Sequence, residues 1–461
     1  MSVLGIVITD GVGYRNYVLS DFIEEAFSEY DKIIVFSGIP IGHYPSHYPN
    51  LKIIELPLFV EKKITWFFRK TKELAHLYLH ENKAFGIRDT LSFSYPTGNS
   101  PRALLIKIAF LVAKKFHKEH HINLYEKLQF SSFKRDKVYL KYVDLLQQNT
   151  INNLFFTHQR PPFLAPLLRA GQKLNIKTTT FIFSWDNLAS KGRMLGVFDY
   201  YLVWSDLMRS ELLAFYPFTK SERIEVVGTP QFEPYVLDRY SLSKHQFLKK
   251  FGLSRERKII CYSCADSSIG KNDEVHIRSL LSFAKKRKNL QILVRTSPTD
   301  DGKRFDKIKK EFPEIIWNFP KWFLSREDHV ETWSQRLPSV EDVCDLKSIL
   351  MYADVNVNMC STMSLDFMLF DKPVINTVFG NKENGLYDDQ RFLNYVHYQY
   401  VIDSGAVTIA HNEIELHNQL TEALEQPQLR NKQRKSLVGL EIGGSLEGTS
   451  KRVVEALCKF V

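Results

Sequence analysis

The residues with the most chemistry per unit length lie between Cys360 and Val378, where the chain reads CSTMSLDFMLFDKPVINTV. An apolar strand over 353–359 runs into a small-polar turn holding Ser361 and Thr362. An apolar helix over 365–370, a stop at Lys372 and Pro373, and a second strand over 374–378 follow. A helix opening on Ser-Thr at the carboxyl end of a parallel strand offers free backbone N–H groups, hydroxyls and a positive dipole end. An anion such as a phosphate suits that combination. Ser364 shares the turn. Asp366 lies about one turn inside the helix, where a carboxylate accepts hydrogen bonds from ribose hydroxyls. The competing reading is structural, with Ser361 as an N-cap and Asp366 as an acid that suits the helix start.

The elements that must position this stretch alternate along the chain. A strand over 3–11 passes through Gly11 and Gly13 into a helix carrying Phe22, Ile23, Ala26 and Phe27. Strands over 32–36 and 51–56 follow. The rhythm breaks over about 61–144, a basic and aromatic stretch read as a helical insertion, and resumes with strands at 153–157, 178–183, 200–204 and 224–227. A polar stretch over 235–248 reads as a hinge. Strands at 258–262, 290–295 and 314–317, helices at 274–288, 303–312 and 339–351, and the 353–378 unit make a second series. Helices at 414–424 and 450–459 complete it. Strands alternating with helices at this spacing predict parallel, doubly wound sheets. The expected organisation is an α/β chain of two Rossmann-like domains, 1–237 and 238–430, facing a cleft, with C-terminal helices over 431–461. A chain of 461 residues also exceeds what one core usually supports.

Composition narrows the class. Five cysteines, an odd count, and an N-terminus that reads as a strand rather than a leader predict reduced thiols and a cytoplasmic protein. Cys261 and Cys264 form a CxxC without a second metal pair, so no metal site is expected there. The net charge of +10 favours polyanions, phosphorylated ligands or a membrane surface. No helix-turn-helix, zinc-finger or RNA-recognition signature appears, and the cations do not form one arm, which argues against nucleic acid. They concentrate at 61–80 and 101–121, mixed with Trp, Phe and Leu at helical spacing. Such helices either lie on an anionic bilayer or pack with a solvated basic face. Lys62, Lys63, Arg69 and Lys70 are the first cations expected at a membrane. The nearby His117, His120 and His121 read as an exposed helix end.

Four stretches resemble the GT-B glycosyltransferases, and within them the bacterial surface-polysaccharide type related to the CDP-glycerol glycerophosphotransferases. They are STMSLDFMLFDKPVI (361–375), VVGTPQFEPY (226–235), FSWDNLASKG (183–192) and VRTSPTD (294–300). The resemblance runs from about residue 154 onward. Asp366 stands where Glu is commoner, and Ser297 where relatives carry a histidine. It implies a nucleotide-diphosphate sugar, most simply a UDP-sugar, in the second domain and a glycan or lipid-linked acceptor in the first. It implies no cofactor and no metal, since helix ends, backbone N–H groups and a cation can stabilise the leaving diphosphate. Arg295 is the expected cation. Ser297, Ser263, Ser267, Ser268 and Lys271 are further candidate donors, and the base edge is expected near 318–322 or 343–346.

An inverting transfer needs a base for the acceptor proton, and strand-end residues of the first domain are the candidates. Asp186 of the WDN loop and His158 rank ahead of Asp10; a retaining enzyme would need none. The rival readings are a CDP-polyol phosphotransferase, a UDP-sugar 2-epimerase and a non-catalytic binding scaffold.

Overall fold

The computed structural model describes residues 2–267, 269–327, 329, 331–380 and 390–460. Parallel strands cannot be joined by a tight turn, so successive parallel strands are linked by crossovers that return the chain to the same end of the sheet. In the first part these strands are β1 (Val3–Ile8), β2 (Lys32–Ser37), β3 (Leu51–Glu55), β4 (Asn153–Phe156), β5 (Lys177–Phe181), β6 (Tyr200–Val203) and β7 (Ile224–Val226). They form one parallel sheet in the order β3-β2-β1-β4-β5-β6-β7. Every residue of the central β1 is buried, whereas the edge strand β3 keeps two residues exposed. A strand covered on both faces therefore reads as a continuous apolar run.

Between β3 and β4 the basic, aromatic stretch forms helices Lys63–His80, Phe85–Ser94, Pro101–Lys115, Glu119–Phe133 and Lys137–Asn149. Buried charge ties them down. The fully buried Lys72 donates to the Leu195 carbonyl at 2.8 Å and stands 3.9 Å from Glu126, which also takes Arg169 at 2.5 Å.

The second series contains β8 (Lys258–Ser263), β9 (Leu290–Arg295), β10 (Ile316–Asn318), the antiparallel pair β11 (Trp322–Leu324) and β12 (Arg336–Pro338), β13 (Val355–Asn358), β14 (Val374–Thr377) and β15 (Thr408–Ala410). Its parallel sheet runs β10-β9-β8-β13-β14-β15. Ile260, Tyr262, Ile292, Val294, Val355, Val357 and Ile375 pack there with Ile277, Leu280, Leu281, Leu416 and Leu420 from the covering helices. The β11–β12 pair and β15, three residues per strand, carry no periodicity long enough to show in the sequence.

The chain divides into two units, Met1–Pro230 with Ser325–His329 and Gly443–Val461, and Gln231–Leu324 with Val330–Ile442. The tail helices part company here. Asn431–Ile442 belongs to the second unit and Thr449–Lys459 to the first. The latter buries Val453, Val454, Ala456 and Leu457, and its Leu457 carbonyl accepts from Asn153 at 3.2 Å.

Both sheets share one topological property. From β1 the chain moves to β2 on one side and returns to β4 on the other; from β8 it moves to β9 and returns to β13. Where the direction of winding reverses, the loops at the carboxyl ends diverge and leave room for a ligand.

Candidate functional site

At the switch point of the second sheet, β13 leaves through Cys360, whose φ of 45° lies in the left-handed region that a residue with a Cβ rarely adopts. The turn is held by side chains. Asn358 Oδ1 accepts the Ser361 N–H at 2.9 Å, and the Ser361 hydroxyl accepts the Met363 N–H at 3.2 Å. The helix is Met363–Met368, starting two residues before the apolar run. The Thr362 N–H and hydroxyl find no partner among the described residues, and Ser361 keeps its hydroxyl hydrogen to donate. Both side chains are half-buried.

Ser364 and Ser263 do not join them. They are 0 % and 2 % exposed and bond inward. Ser364 Oγ lies 3.0 Å from the Tyr398 hydroxyl and 3.2 Å from the side-chain amides of Asn358 and Asn376. Ser263 Oγ accepts from Asn356 at 2.8 Å. Three asparagines on covered strands need partners, and these serines complete a closed network across β8, β13 and β14.

Arg295 is also placed differently from the expectation. It is 5 % exposed, its guanidinium meets both carboxylate oxygens of Asp342 at 3.0 and 3.1 Å, and it donates to Asn318. Asp342 further accepts from the Lys321 N–H and the Trp322 indole. The charge of Arg295 is neutralised inside the unit and braces β9. Of the two stretches expected to present a base edge, 343–346 lies within the helix Val340–Tyr352, where the backbone groups serve the helix itself.

Ser297 pairs with Thr299 at 3.1 Å, and Thr299 donates to Asp266 at 2.6 Å, which joins the loops after β9 and β8. Arg304 fixes the loop after β8 by donating to the carbonyls of Ala265 and Gly270 and to Asp273 and Asp300. Lys271 is exposed on that loop; Ser268 lies outside the described residues. Asp366 is 4 % exposed and accepts from the Tyr235 hydroxyl, so it faces inward, not toward solvent. Burial pushes the Cys261 thiol up to about 12 and raises Cys264 as well. Among the described residues no three His, Cys, Asp or Glu side chains are grouped to hold a metal.

In the first unit the switch point lies beside Asp10 and His158. Asp10 is the N-cap of the helix Gly11–Val18, and its Oδ1 accepts the Gly13 N–H at 2.8 Å. It is 1 % exposed, and burial raises its carboxyl despite the hydrogen bonds from the backbone. Gly11 and Gly13 thus form the first helical turn and not a loop. A Cβ on Gly13 would sit 3.1 Å from Thr157 Oγ1, so the glycine permits close approach to the end of β4. Asp10 caps; it is not placed as a base.

His158 is 9 % exposed and stacks on Phe183 with centroids 4.0 Å apart. Its Nδ1 accepts the Arg160 N–H at 3.1 Å. A neutral imidazole that accepts at Nδ1 carries its proton on Nε2. Burial, followed by Arg160, lowers its pKa to about 3. The ring is therefore a neutral N–H donor at physiological pH, a poor base and a good electrophile.

Asp186 opens the short helix Asn187–Ser190 after β5. Oδ1 accepts from Asn187 at 3.0 Å, and Oδ2 stands 3.3 Å from Lys191. The loop is fastened to the end of β4 by Gln159, which accepts from the Phe183 N–H at 3.1 Å and donates to Asn187 at 2.9 Å. Part of the carboxylate stays open to solvent, with the side chain 23 % exposed.

Sequence reasoning missed Glu211. It lies in the helix Asp206–Phe215, is 9 % exposed, and burial with the nearby Asp186 charge raises its pKa to about 8. The signal was there: with Met208, Leu212 and Phe215 it occupies the buried helical stripe, where an acid is out of place. The first unit thus presents a half-open carboxylate, a neutral N–H donor and a protonated acid on elements following β4, β5 and β6.

No protein-family model matches the chain, and no curated protein matches it. Solved structures match over nearly their whole length. The chain is similar to a UDP-GlcNAc 2-epimerase from Neisseria meningitidis bound to UDP-GlcNAc, at 11 % identity, TM-score 0.52 and 100 % coverage of both chains. It is similar to an S. aureus MnaA–UDP complex at 11 % identity and TM-score 0.54, covering 100 % of this chain and 98 % of that one. A glycosyltransferase from Rickettsia africae matches at 10 % identity and TM-score 0.52, with 100 % and 98 % covered. The likeness is one of fold, the GT-B type of two Rossmann-like domains with parallel sheets of seven and six strands.

Proposed function

We propose that this chain is a metal-independent glycosyltransferase of bacterial surface-polysaccharide synthesis. Its second domain takes a nucleotide-diphosphate sugar, most simply a UDP-sugar, and its first takes a glycan or lipid-linked acceptor. The observation that carries the reading is the turn at Ser361 and Thr362. It sits at the switch point of the second sheet with two hydroxyls and an N–H to offer, and an asparagine-braced backbone behind it. The ligands bound in two structures with this fold, UDP-GlcNAc and UDP, support the donor class.

In the step itself the acceptor oxygen bonds to the anomeric carbon as the bond to the diphosphate breaks. The electron pair leaves with the diphosphate, and the acceptor proton passes to Asp186. Negative charge grows on the leaving group, which the Thr362 N–H, the two hydroxyls and Lys271 would meet. His158 contributes as a donor through Nε2, the role its occupied Nδ1 leaves it.

The preference for transfer rests on the WDN loop and its half-open Asp186. A UDP-sugar 2-epimerase is the second reading, supported by the shared fold and by Asp186 together with Glu211, whose carboxyl group burial and the nearby Asp186 charge raise to about 8. Incubation of UDP-sugars in heavy water separates them. A transferase releases UDP when acceptor is added, whereas an epimerase exchanges a sugar C–H for deuterium and keeps the nucleotide sugar intact. Asp186→Asn is expected to slow transfer about 100- to 10,000-fold at unchanged nucleotide affinity. Absence of both nucleotide binding and conversion would leave a scaffold and sink the reading.

A further inference from the structure

The helix Pro101–Lys115 carries a face that the fold does not use. Its sequence, PRALLIKIAFLVAKK, holds four basic residues and no acid. One stripe, Ala103, Ala109, Phe110 and Ala113, is buried and packs toward the helix Lys63–His80. The opposite stripe is apolar as well. Leu104, Ile108 and Leu111 recur at i, i+4 and i+7 and are 58 %, 42 % and 70 % exposed, and Phe116 follows at 40 %. Tyr95, half exposed, stands edge-on to Phe110 at 5.1 Å and extends the rim. Single exposed leucines need no explanation, but three in register on successive turns of one helix do.

The cations around this stripe are unneutralised. Among the described residues Arg102, Lys107, Lys114, Lys115 and Lys118 have no acidic partner, and Lys107 donates only to the Asn99 amide oxygen. The stretch at 61–80, where membrane contact was expected first, is different. Arg69 is paired with Glu61 at 2.8 Å and Glu73 at 2.7 Å, Lys70 stands 3.8 Å from Glu73, and Lys62 stands 3.4 Å from Asp136. Among the described residues three of the four cations expected first at a membrane thus face an acid, Lys63 being the exception, whereas none of the five along 102–118 does.

We propose that this face docks on an anionic phospholipid bilayer, with the helix in the plane of the interface. Leu104, Ile108 and Leu111 enter the acyl boundary, and Lys107, Lys114 and Lys115 meet lipid phosphates. Charge selects this occupant over a second copy of the chain, because two copies face to face would set lysines against lysines. An acid-free basic rim around an apolar stripe instead complements a negative surface. Among the described residues no helix is long and apolar enough to cross a membrane, so the helix lies on it. The proposal is independent of the nucleotide-sugar reading and adds the surface at which a lipid-linked acceptor would be met.

The experiment is flotation of the full chain with phosphatidylglycerol-containing vesicles and with pure phosphatidylcholine vesicles. Two variants are compared with the parent, Leu104→Ser with Leu111→Ser, and Lys107→Gln with Lys114→Gln and Lys115→Gln. Binding to the anionic vesicles is expected to exceed that to neutral ones and to fall with added salt. Each lost lysine should weaken it about fivefold, roughly a hundredfold for three, and the serine pair at least about tenfold. Nucleotide titration and thermal unfolding of both variants should match the parent, which separates lost docking from lost fold. Equal affinity for both vesicle types, no binding, or binding untouched by both variants would overturn the proposal. So would a concentration-dependent dimer that the serine pair dissolves while vesicle binding stays as it was.

Discussion

Replacing Glu211 by Gln should make the protein more stable, and only above a definite pH. The carboxyl group sits on the buried stripe of the helix Asp206–Phe215, and its pKa is raised from an ordinary 4.5 to about 8, first by burial and then by Asp186. Between those values the folded chain holds a proton that the unfolded chain releases. Stability from this group is therefore complete below pH 4.5 and declines as pH rises toward 8, by roughly 1.4 kcal/mol per pH unit. At pH 7 the accumulated cost is roughly 3 kcal/mol, a ceiling that local water entry reduces. Glutamine keeps the shape and removes the titration. Urea unfolding of parent and Glu211→Gln, followed by circular dichroism at pH 5 and pH 8, should show a gain at pH 8 of about 2–3 kcal/mol that nearly vanishes at pH 5. Adding Asp186→Asn to the parent should shrink the pH dependence, because one cause of the raised pKa is gone. A difference between parent and glutamine variant that is the same at both pH values would mean that Glu211 is ionised when folded, and the acid assigned to it would be lost.

Ser361→Ala with Thr362→Ala should weaken UDP binding by roughly 1.5–3 kcal/mol for each lost bond to phosphate, with thermal unfolding unchanged; an unaltered titration curve would remove the donor assignment of this turn. Arg295→Met alone should destabilise the second unit by about 3–5 kcal/mol, because Asp342 is left buried without its partner, and Arg295→Met with Asp342→Leu should recover most of that; a mild single variant with lost nucleotide affinity would instead return Arg295 to the ligand. Burial lowers His158 to about 3 and also lowers His276 to about 4, the latter fully buried in the helix Asp273–Lys285 between the Tyr262 hydroxyl and the Phe379 carbonyl. Their contribution is therefore complete above the ordinary 6.5 and drains away as pH falls, by up to about 1.4 kcal/mol per unit each; His276→Gln should flatten the acid limb of a thermal-unfolding profile against pH, and an unchanged slope would refute the assignment.

What the sequence by itself determined was the rhythm of elements and the place of the Ser361–Thr362 turn between strand and helix. Runs such as 259–262 and 290–295 are buried on both faces, a property each strand carries locally, and the doubly wound class follows from their alternation with helices. The Ser361–Thr362 turn was legible for the same reason, because strand, small polar residues and helix are contiguous. Tertiary structure decided which polar residues were free. Arg295 and Asp342 are 47 residues apart and Ser263 and Asn356 are 93 apart, so no local pattern could mark that cation as neutralised or that serine as enclosed. The ring of His158 looked like a base because its ordinary pKa suits the work; its burial and the N–H of Arg160 turned it into a donor. The basic stretches looked alike until the structure set Lys62, Arg69 and Lys70 beside acids and left the cations of 102–118 without them around exposed leucines. Elements arise from short-range periodicity, whereas charge, protonation and exposure depend on partners that only the folded chain brings within a few ångströms.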